Sequence, residues 1–190
     1  MAQEYIVLVA GPMGAGKTTA ISALSEIPVV KTEALNTDLA RNSKALTTVA
    51  LDYGEITIGD GDKVRLYGVP GQERFDFMWK ILERRALGLM LLLDNTAPDP
   101  LADLARFLKV FSDLDQRGAL VVGVTRRDLS PRPSPEDFHA VLAGMERVVP
   151  IFTLDAREPA QMRTLLGTLI AMVEARSAAP TSRTLHGATA

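Results

Sequence analysis

The segment that most constrains the fold is the stretch at residues 11–18, which reads GPMGAGKT. It follows a continuous apolar run at residues 6–10 and precedes a helical pattern at residues 17–26. A short continuous apolar run is typical of a strand that is buried on both faces of a parallel sheet. The pattern G-x-x-x-x-G-K-[ST] between a strand and a helix predicts a loop whose backbone N–H groups surround a phosphate. We expect the Lys17 ammonium to reach the β- and γ-phosphates of a nucleotide and the Thr18 hydroxyl to bind Mg²⁺.

The rest of the chain alternates strand and helix patterns. Residues 59–62 (GDGD) separate two strand-like segments and predict an antiparallel hairpin. Asp99 before Pro100, and Ser134 before Pro135, predict helix N-termini. We expect an α/β protein with the three-layer P-loop NTPase fold, in which about six strands form a mostly parallel sheet with helices on both faces. The expected strands are residues 6–10, 49–58, 63–69, 87–93, 119–124 and 148–153. The expected helices are residues 17–26, 75–85 and 159–176, with two more that begin near Asp99 and Ser134. Residues 29–47 are expected to be a long loop.

Composition and charge describe an ordinary globular chain. Its 190 residues are 47% hydrophobic and 23% charged, which predicts one domain at residues 1–177 and a disordered tail at residues 178–190. With 21 basic and 23 acidic side chains the net charge is −2, which disfavours nucleic acid as a partner. The absence of cysteine excludes disulfides and thiolate metal sites. Because no signal peptide or long apolar run is present, we expect a cytoplasmic protein that does not insert into a membrane.

Four segments beyond the phosphate loop make the chain resemble the Ras-like small GTPases. Residues 68–72 read GVPGQ, similar to the second switch D-x-x-G-Q, and Thr48 with Thr47 resembles the first switch. Residues 125–128 read TRRD, similar to the base-reading motif N/T-K-x-D, and residues 155–157 read DAR where the family has S-A-K. The resemblance covers the whole predicted domain. It is closest to the bacterial branch that includes the gliding-motility-type and actinobacterial conservon GTPases.

The resemblance implies a role for each matching residue. Gln72 would orient the attacking water, and Lys17 and Thr48 would complete the catalytic set. Thr48 would join the Mg²⁺ shell only when GTP is present, so the loop before it would order with GTP. Asp128 would accept two hydrogen bonds that guanine donates and adenine cannot, and would thereby select the base. The implied nucleotide-binding residues are Gly11, Gly14, Ala15, Gly16, Lys17, Thr18, Thr19, Gly71, Thr125, Arg126, Asp128, Asp155, Ala156 and Arg157, and the implied Mg²⁺ ligands are Thr18, Thr48 and Asp52.

The chain departs from the family pattern at several of these positions. Gly68 stands where the second switch normally has an aspartate that holds Mg²⁺ through water, and we expect Asp52 on the neighbouring strand to substitute for it. Thr125 replaces the asparagine that normally ties the base-reading loop to the phosphate loop, which predicts a lower nucleotide affinity. Arg126 replaces the lysine that lies along the base, and its planar guanidinium could stack there instead. Asp155 replaces a serine whose backbone makes the family's contact.

These features predict a small GTPase switch that binds GTP and GDP with Mg²⁺, hydrolyses GTP slowly and signals to a regulatory protein. The resemblance implies a partner of the Roadblock/LC7 type. No finger arginine is evident, so Arg41, Arg74 or a partner would have to supply one to accelerate hydrolysis. Two alternatives remain open at this point: a nucleotide-binding scaffold that does not hydrolyse, and an ATP-dependent P-loop kinase of small molecules.

Overall fold

A seven-stranded sheet with helices packed on both faces forms the centre of the protein. The computed structural model describes residues 2–34, 49–59, 61–71 and 76–178. The strands are β1 (Glu4–Ala10), β2 (Val30–Ala34), β3 (Val49–Ile58), β4 (Asp62–Gly68), β5 (Gly88–Asp94), β6 (Leu120–Thr125) and β7 (Ile151–Thr153). The helices are α1 (Lys17–Leu24), α2 (Asp76–Glu83), α3 (Pro100–Val110), α4 (Ser112–Gln116), α5 (Pro135–Gly144) and α6 (Pro159–Ala178).

The strand order across the sheet is β2-β3-β4-β1-β5-β6-β7. β1 lies between β4 and β5 and is parallel to both, with Val7 opposite Leu66 on one side and Gly88 on the other. Among the described strands β3 is antiparallel to its neighbours β2 and β4, and the others run in one direction. The carboxyl ends of β1, β4, β5, β6 and β7 therefore meet at one edge of the sheet, where ligands bind in open α/β folds.

Alternate side chains of the central strands supply two apolar layers. Leu8 and Ala10 of β1 pack with α2, α3, α4 and α5 on one face, whereas Val7 and Val9 pack with α1 and α6 on the other. The first layer contains Trp79, whose ring stacks on the rings of two phenylalanines at centroid distances of 5.4 and 5.6 Å. Each central strand is buried on both faces, which explains why these strands read as continuous apolar runs in the sequence.

The expected fold class is confirmed, with two additions. Residues 30–34 lie inside the segment expected to be a loop, but they form the edge strand β2, paired antiparallel with β3. This part of the expectation was wrong because polar residues on an edge strand give no apolar run to recognise. The short helix α4 was also missed, because its five residues continue the apolar stripe of α3 through Leu114. Both expected helix starts are confirmed: Asp99 Oδ1 accepts the Ala102 N–H, and Ser134 forms a capping box with Asp137.

Helix α6 continues to Ala178, and the remainder of the tail expected at residues 178–190 lies outside the described residues. No helix in the described part of the chain is both long enough and apolar enough to cross a membrane.

Candidate functional site

The loop between β1 and α1 has the backbone shape that its glycines predict. Gly11, Gly14 and Gly16 all have positive φ, at 141°, 87° and 95°. A Cβ at residue 11 would lie 2.0 Å from the Leu92 carbonyl oxygen, so only glycine fits there. Gly16 precedes the first turn of α1, which has neither a side-chain cap nor an acidic residue. The free N–H groups and the positive end of this helix therefore remain available for an anion.

Lys17, the first residue of α1, lies over the loop. Its ammonium donates to the carbonyl oxygens of Gly11 (2.9 Å) and Pro12 (2.7 Å). Burial lowers the pKa of Lys17 from 10.5 to about 8, and the Asp52 carboxylate opposes part of this shift. The ammonium is therefore a largely desolvated cation at the centre of the loop, in the position from which it would contact phosphate oxygens.

Asp52 occupies the space that opens opposite Gly68. The two residues face each other across the β3–β4 pair, and a Cβ at residue 68 would lie 3.1 Å from the Asp52 Cβ and 2.9 Å from the Ile21 Cδ1. The Thr18 hydroxyl donates to the Asp52 carboxylate. The missing aspartate at residue 68 and the carboxylate at residue 52 are thus linked sterically, because the bare glycine makes room for the neighbouring side chain.

Hydroxyl and carboxylate oxygens such as those of Thr18 and Asp52 are the ligands that Mg²⁺ prefers. Within the described residues no group of three His, Asp or Glu side chains comes together. Mg²⁺ is usually held by one or two protein groups together with phosphate oxygens and water, so this donor pair fits a nucleotide-bound Mg²⁺ rather than a free-standing metal site.

Gly71, the first residue of the expected second switch motif G-Q, lies against the phosphate loop. A Cβ at this position would lie 2.5 Å from the Gly11 carbonyl oxygen and 2.8 Å from the Met13 nitrogen. Lys17, Thr18, Asp52, Gly68 and Gly71 all line one cleft of about 430 Å³. The residues expected around the phosphates are therefore brought together as far as the described chain extends.

A second cavity of about 210 Å³ lies beside the first, next to the ends of β6 and β7. Its lining includes Asp128 and Ala156 and reaches back to Gly16 of the phosphate loop. The Thr125 hydroxyl lies 3.1 Å from the Leu93 carbonyl and 3.5 Å from the Ala15 carbonyl. Thr125 thus bridges β6 to β5 and to the phosphate loop.

Two arginines of this region are paired with carboxylates. The Asp155 carboxylate accepts from the backbone N–H and the guanidinium of Arg157, and this pairing lowers the pKa of Asp155 to about 2. Arg126 lines both cavities, has a φ of 58°, and donates to the Asp94 carboxylate at the end of β5. The sequence patterns above do not single out Asp94, although its place directly after a buried strand is a usable signal.

Among the remaining expected site residues, Thr19 lines both cavities. Thr48, Gln72, Arg41 and Arg74 lie outside the described residues. A larger cleft of about 500 Å³ lies near the amino end of β1, at the opposite edge of the sheet, and its lining includes Arg117 and none of the expected site residues.

Known proteins share part of the sequence and the fold of this chain. No protein-family model matches the chain. The chain is 35% identical over 91 residues to the uncharacterized protein MJ1339 of Methanocaldococcus jannaschii, covering 48% of this chain and 51% of that protein. It is 28% identical over 110 residues to intraflagellar transport protein 22 of Chlamydomonas reinhardtii, covering 56% of this chain and 53% of that protein. The chain therefore spans about half the length of these curated relatives.

Among solved structures, the G domain of the T. maritima FeoB iron transporter superposes with a TM-score of 0.59 at 16% identity. The match covers 92% of this chain and 99% of that domain. The chain thus shares the α/β fold of that G domain.

Proposed function

We propose that this protein is a guanine-nucleotide switch that binds GTP and GDP with Mg²⁺ and hydrolyses GTP slowly. The observation that carries the proposal is the adjacency of two cavities, one around Lys17 and the other beside Asp128. Both cavities share Gly16 and Arg126 in their linings, so one elongated ligand could fill both. A nucleotide has this form, with a charged tail at one end and a base at the other.

The tail of the nucleotide would lie in the cleft around Lys17. The N–H groups at the start of α1 and the Lys17 ammonium would bind its phosphate oxygens. Thr18 and Asp52 would hold Mg²⁺, which when bound neutralises negative charge on the phosphates. Asp52 would take over the task of the aspartate that Gly68 replaces, which is supported by its hydrogen bond with the Thr18 hydroxyl.

The base would lie in the cavity beside Asp128. A carboxylate is an acceptor, and guanine offers it two donors, N1–H and the 2-amino group. Adenine has an acceptor at N1 and no 2-amino group, so it would leave the carboxylate unpaired. Arg126 would lie between the base and phosphate regions, as its place in both cavity linings supports.

Hydrolysis is assigned to Gln72 through the sequence resemblance, with Lys17 and Thr48 as the accompanying groups. The same resemblance suggests a place in the bacterial branch named above and a regulatory partner of the Roadblock/LC7 type. Such a partner would bind one nucleotide state through the two switch segments. Size-exclusion chromatography with GDP and with a non-hydrolysable GTP analogue would test whether a candidate partner prefers one state.

Two measurements on purified protein test the proposal. Mass spectrometry identifies the nucleotide that copurifies with and without Mg²⁺, and GDP or GTP is expected. Phosphate release from GTP is then compared between the wild type, Gln72→Leu and the control Gln116→Leu, an exposed glutamine of α4. We expect Gln72→Leu alone to lower the rate. Release at background in all three proteins would favour a scaffold that binds without hydrolysing, and equal uptake of ATP and GTP would favour a kinase.

A further inference from the structure

The end of β5 contacts the loop that carries Asp128 at several points. We name residues 126–133 the base loop. Asp94 and Asn95 lie at the end of β5, where Asp94 pairs with Thr125 of β6 and the Asn95 N–H donates to the Thr125 carbonyl at 3.0 Å. Both residues are buried, with exposed fractions of 7% and 1%. Two buried polar residues in succession are uncommon in a strand of leucines and need partners.

Asp94 holds the first residue of the base loop. One of its carboxylate oxygens accepts from the Arg126 guanidinium, and the other accepts from the Thr96 N–H and hydroxyl. Arg126 has a left-handed backbone, at a φ of 58°, which disfavours any residue with a Cβ. Such a conformation persists only when its surroundings hold it in place. The ion pair with Asp94 is a contact that does so.

Asn95 holds the far side of the same loop. Its side-chain amide donates to the carbonyl oxygens of Ser130 (2.7 Å) and Pro133 (3.2 Å). The Arg127 guanidinium donates to the same Pro133 carbonyl at 2.7 Å. The hydrogen bond from Arg127 to Pro133 thus joins the two halves of the base loop. The loop is also bound to the end of β5 on both sides of Asp128, through Arg126 two residues before it and Ser130 two residues after it.

We propose that Asp94 and Asn95 are positioning residues that hold the base loop in the shape in which Asp128 reads guanine. This inference rests on the proposed function. A loop that is already ordered loses less conformational freedom when a ligand binds, so it binds more tightly. A fixed Asp128 also meets both guanine donors at once, whereas a mobile carboxylate would bind one or the other. The two positions should therefore affect selectivity for the base as well as affinity.

The test compares Asp94→Asn with a matched control. Asn keeps the size of the side chain and an oxygen that can accept from Thr96, but removes the charge that holds Arg126. Asp115→Asn is the control, because Asp115 is a similarly buried carboxylate that pairs with Arg147 at 2.6 Å and lines neither cavity of the site. Dissociation constants are measured by calorimetry for GDP and for IDP, which lacks the 2-amino group, and melting temperatures are measured without nucleotide.

We expect the wild type to prefer GDP over IDP by about tenfold or more, the worth of one hydrogen bond to a charged group. Asp94→Asn should weaken GDP binding about fivefold, because Arg126 is half exposed and a half-exposed ion pair contributes modestly. It should also reduce the ratio of the affinities for GDP and IDP, here called the GDP/IDP ratio. Asp115→Asn should leave the GDP affinity and the GDP/IDP ratio unchanged, even if it lowers the melting temperature as much as Asp94→Asn does. Asn95→Ser, which shortens the side chain that reaches Ser130 and Pro133, should also lower the GDP/IDP ratio. It tests the inference independently if Asp94→Asn does not fold.

An unchanged GDP/IDP ratio in a folded Asp94→Asn or Asn95→Ser protein would overturn the inference, as would tighter GDP binding by either variant. Tighter binding would mean that the pairing restrains Arg126 away from the nucleotide. A wild type that binds neither GDP nor IDP would instead overturn the proposed function, so the two failures are distinguishable.

Discussion

Nucleotide binding should be accompanied by proton uptake at Lys17. Burial lowers the pKa of this ammonium to about 8 in the nucleotide-free protein. A bound diphosphate places anionic oxygens beside it and raises the pKa back toward the ordinary value of 10.5. The complex therefore holds the proton more tightly than the free protein. The affinity is fully present below about pH 8 and is lost as the pH rises through this value, because the lysine must then be protonated again for binding.

The number of protons taken up on binding follows from the pKa of Lys17 in the nucleotide-free protein. At about pH 8.5, roughly a quarter of the nucleotide-free molecules carry a protonated Lys17, so binding should take up about three quarters of a proton. At still higher pH the affinity for GDP should fall by at least about tenfold per pH unit, because guanine also begins to lose the N1 proton that it would donate to Asp128. The phosphates of GDP are fully ionised at this pH and contribute little to the uptake.

Calorimetry measures the uptake directly. GDP is titrated at about pH 8.5 in two buffers that differ in ionisation enthalpy, with EDTA present so that metal binding does not contribute. The apparent enthalpy should differ between the buffers by about three quarters of the difference in their ionisation enthalpies. Asp52→Asn should increase the uptake near pH 8, since the Asp52 carboxylate opposes the lowering of the Lys17 pKa. Equal heats in the two buffers would refute the assignment of Lys17 to a desolvated site that receives phosphate.

Three further predictions concern single substitutions. Asp52→Asn should weaken Mg²⁺-dependent GTP binding at least about tenfold, since a charged ligand is lost beside Thr18, and unchanged Mg²⁺ dependence in a metal titration would remove Asp52 from the metal site. Gly11→Ala should lower the free energy of unfolding, measured in urea, by about 3 kcal/mol or more, because its Cβ would strike the Leu92 carbonyl. Gly14→Ala is the control, because its Cβ would meet nothing within 4 Å, and it should cost only about 1–2 kcal/mol for its positive φ. Asp99→Ala should lower it by about 1 kcal/mol through loss of the α3 cap, and no measurable change would show that the cap is dispensable.

Much of the fold could be predicted because its strands are buried on both faces. The runs that became β1, β5 and β6 are continuous apolar segments that end at glycine, aspartate or threonine, and this pattern depends on burial alone. The edge strand β2 could not be predicted in the same way. It is held by hydrogen bonds to β3, and Val30 remains half exposed, so its sequence carries no clear burial signal.

The candidate site was predictable where the chemistry fixes both residue type and spacing. The phosphate loop is such a case, because positive φ at Gly11, Gly14 and Gly16 permits few other residues. A metal-binding role for Asp52 was expected from the missing aspartate at residue 68, but its contact with Thr18 and the steric reason for it required three-dimensional contacts. The attachment of the base loop to Asp94 and Asn95 joins segments about 30 residues apart, and no local pattern in the sequence reports it.

The central claim is that one ligand fills both cavities and that Asp128 identifies its base. Competitive binding of GDP and ADP to the wild type and to Asp128→Asn tests it most directly. We expect the wild type to bind GDP at least about a hundredfold more tightly than ADP, because a bound base would displace water from the Asp128 carboxylate and adenine offers it no donor in return. Asp128→Asn should lose this preference, since an amide presents a donor where guanine also donates. Equal affinity for GDP and ADP in the wild type, or an unchanged preference in the variant, would contradict the claim.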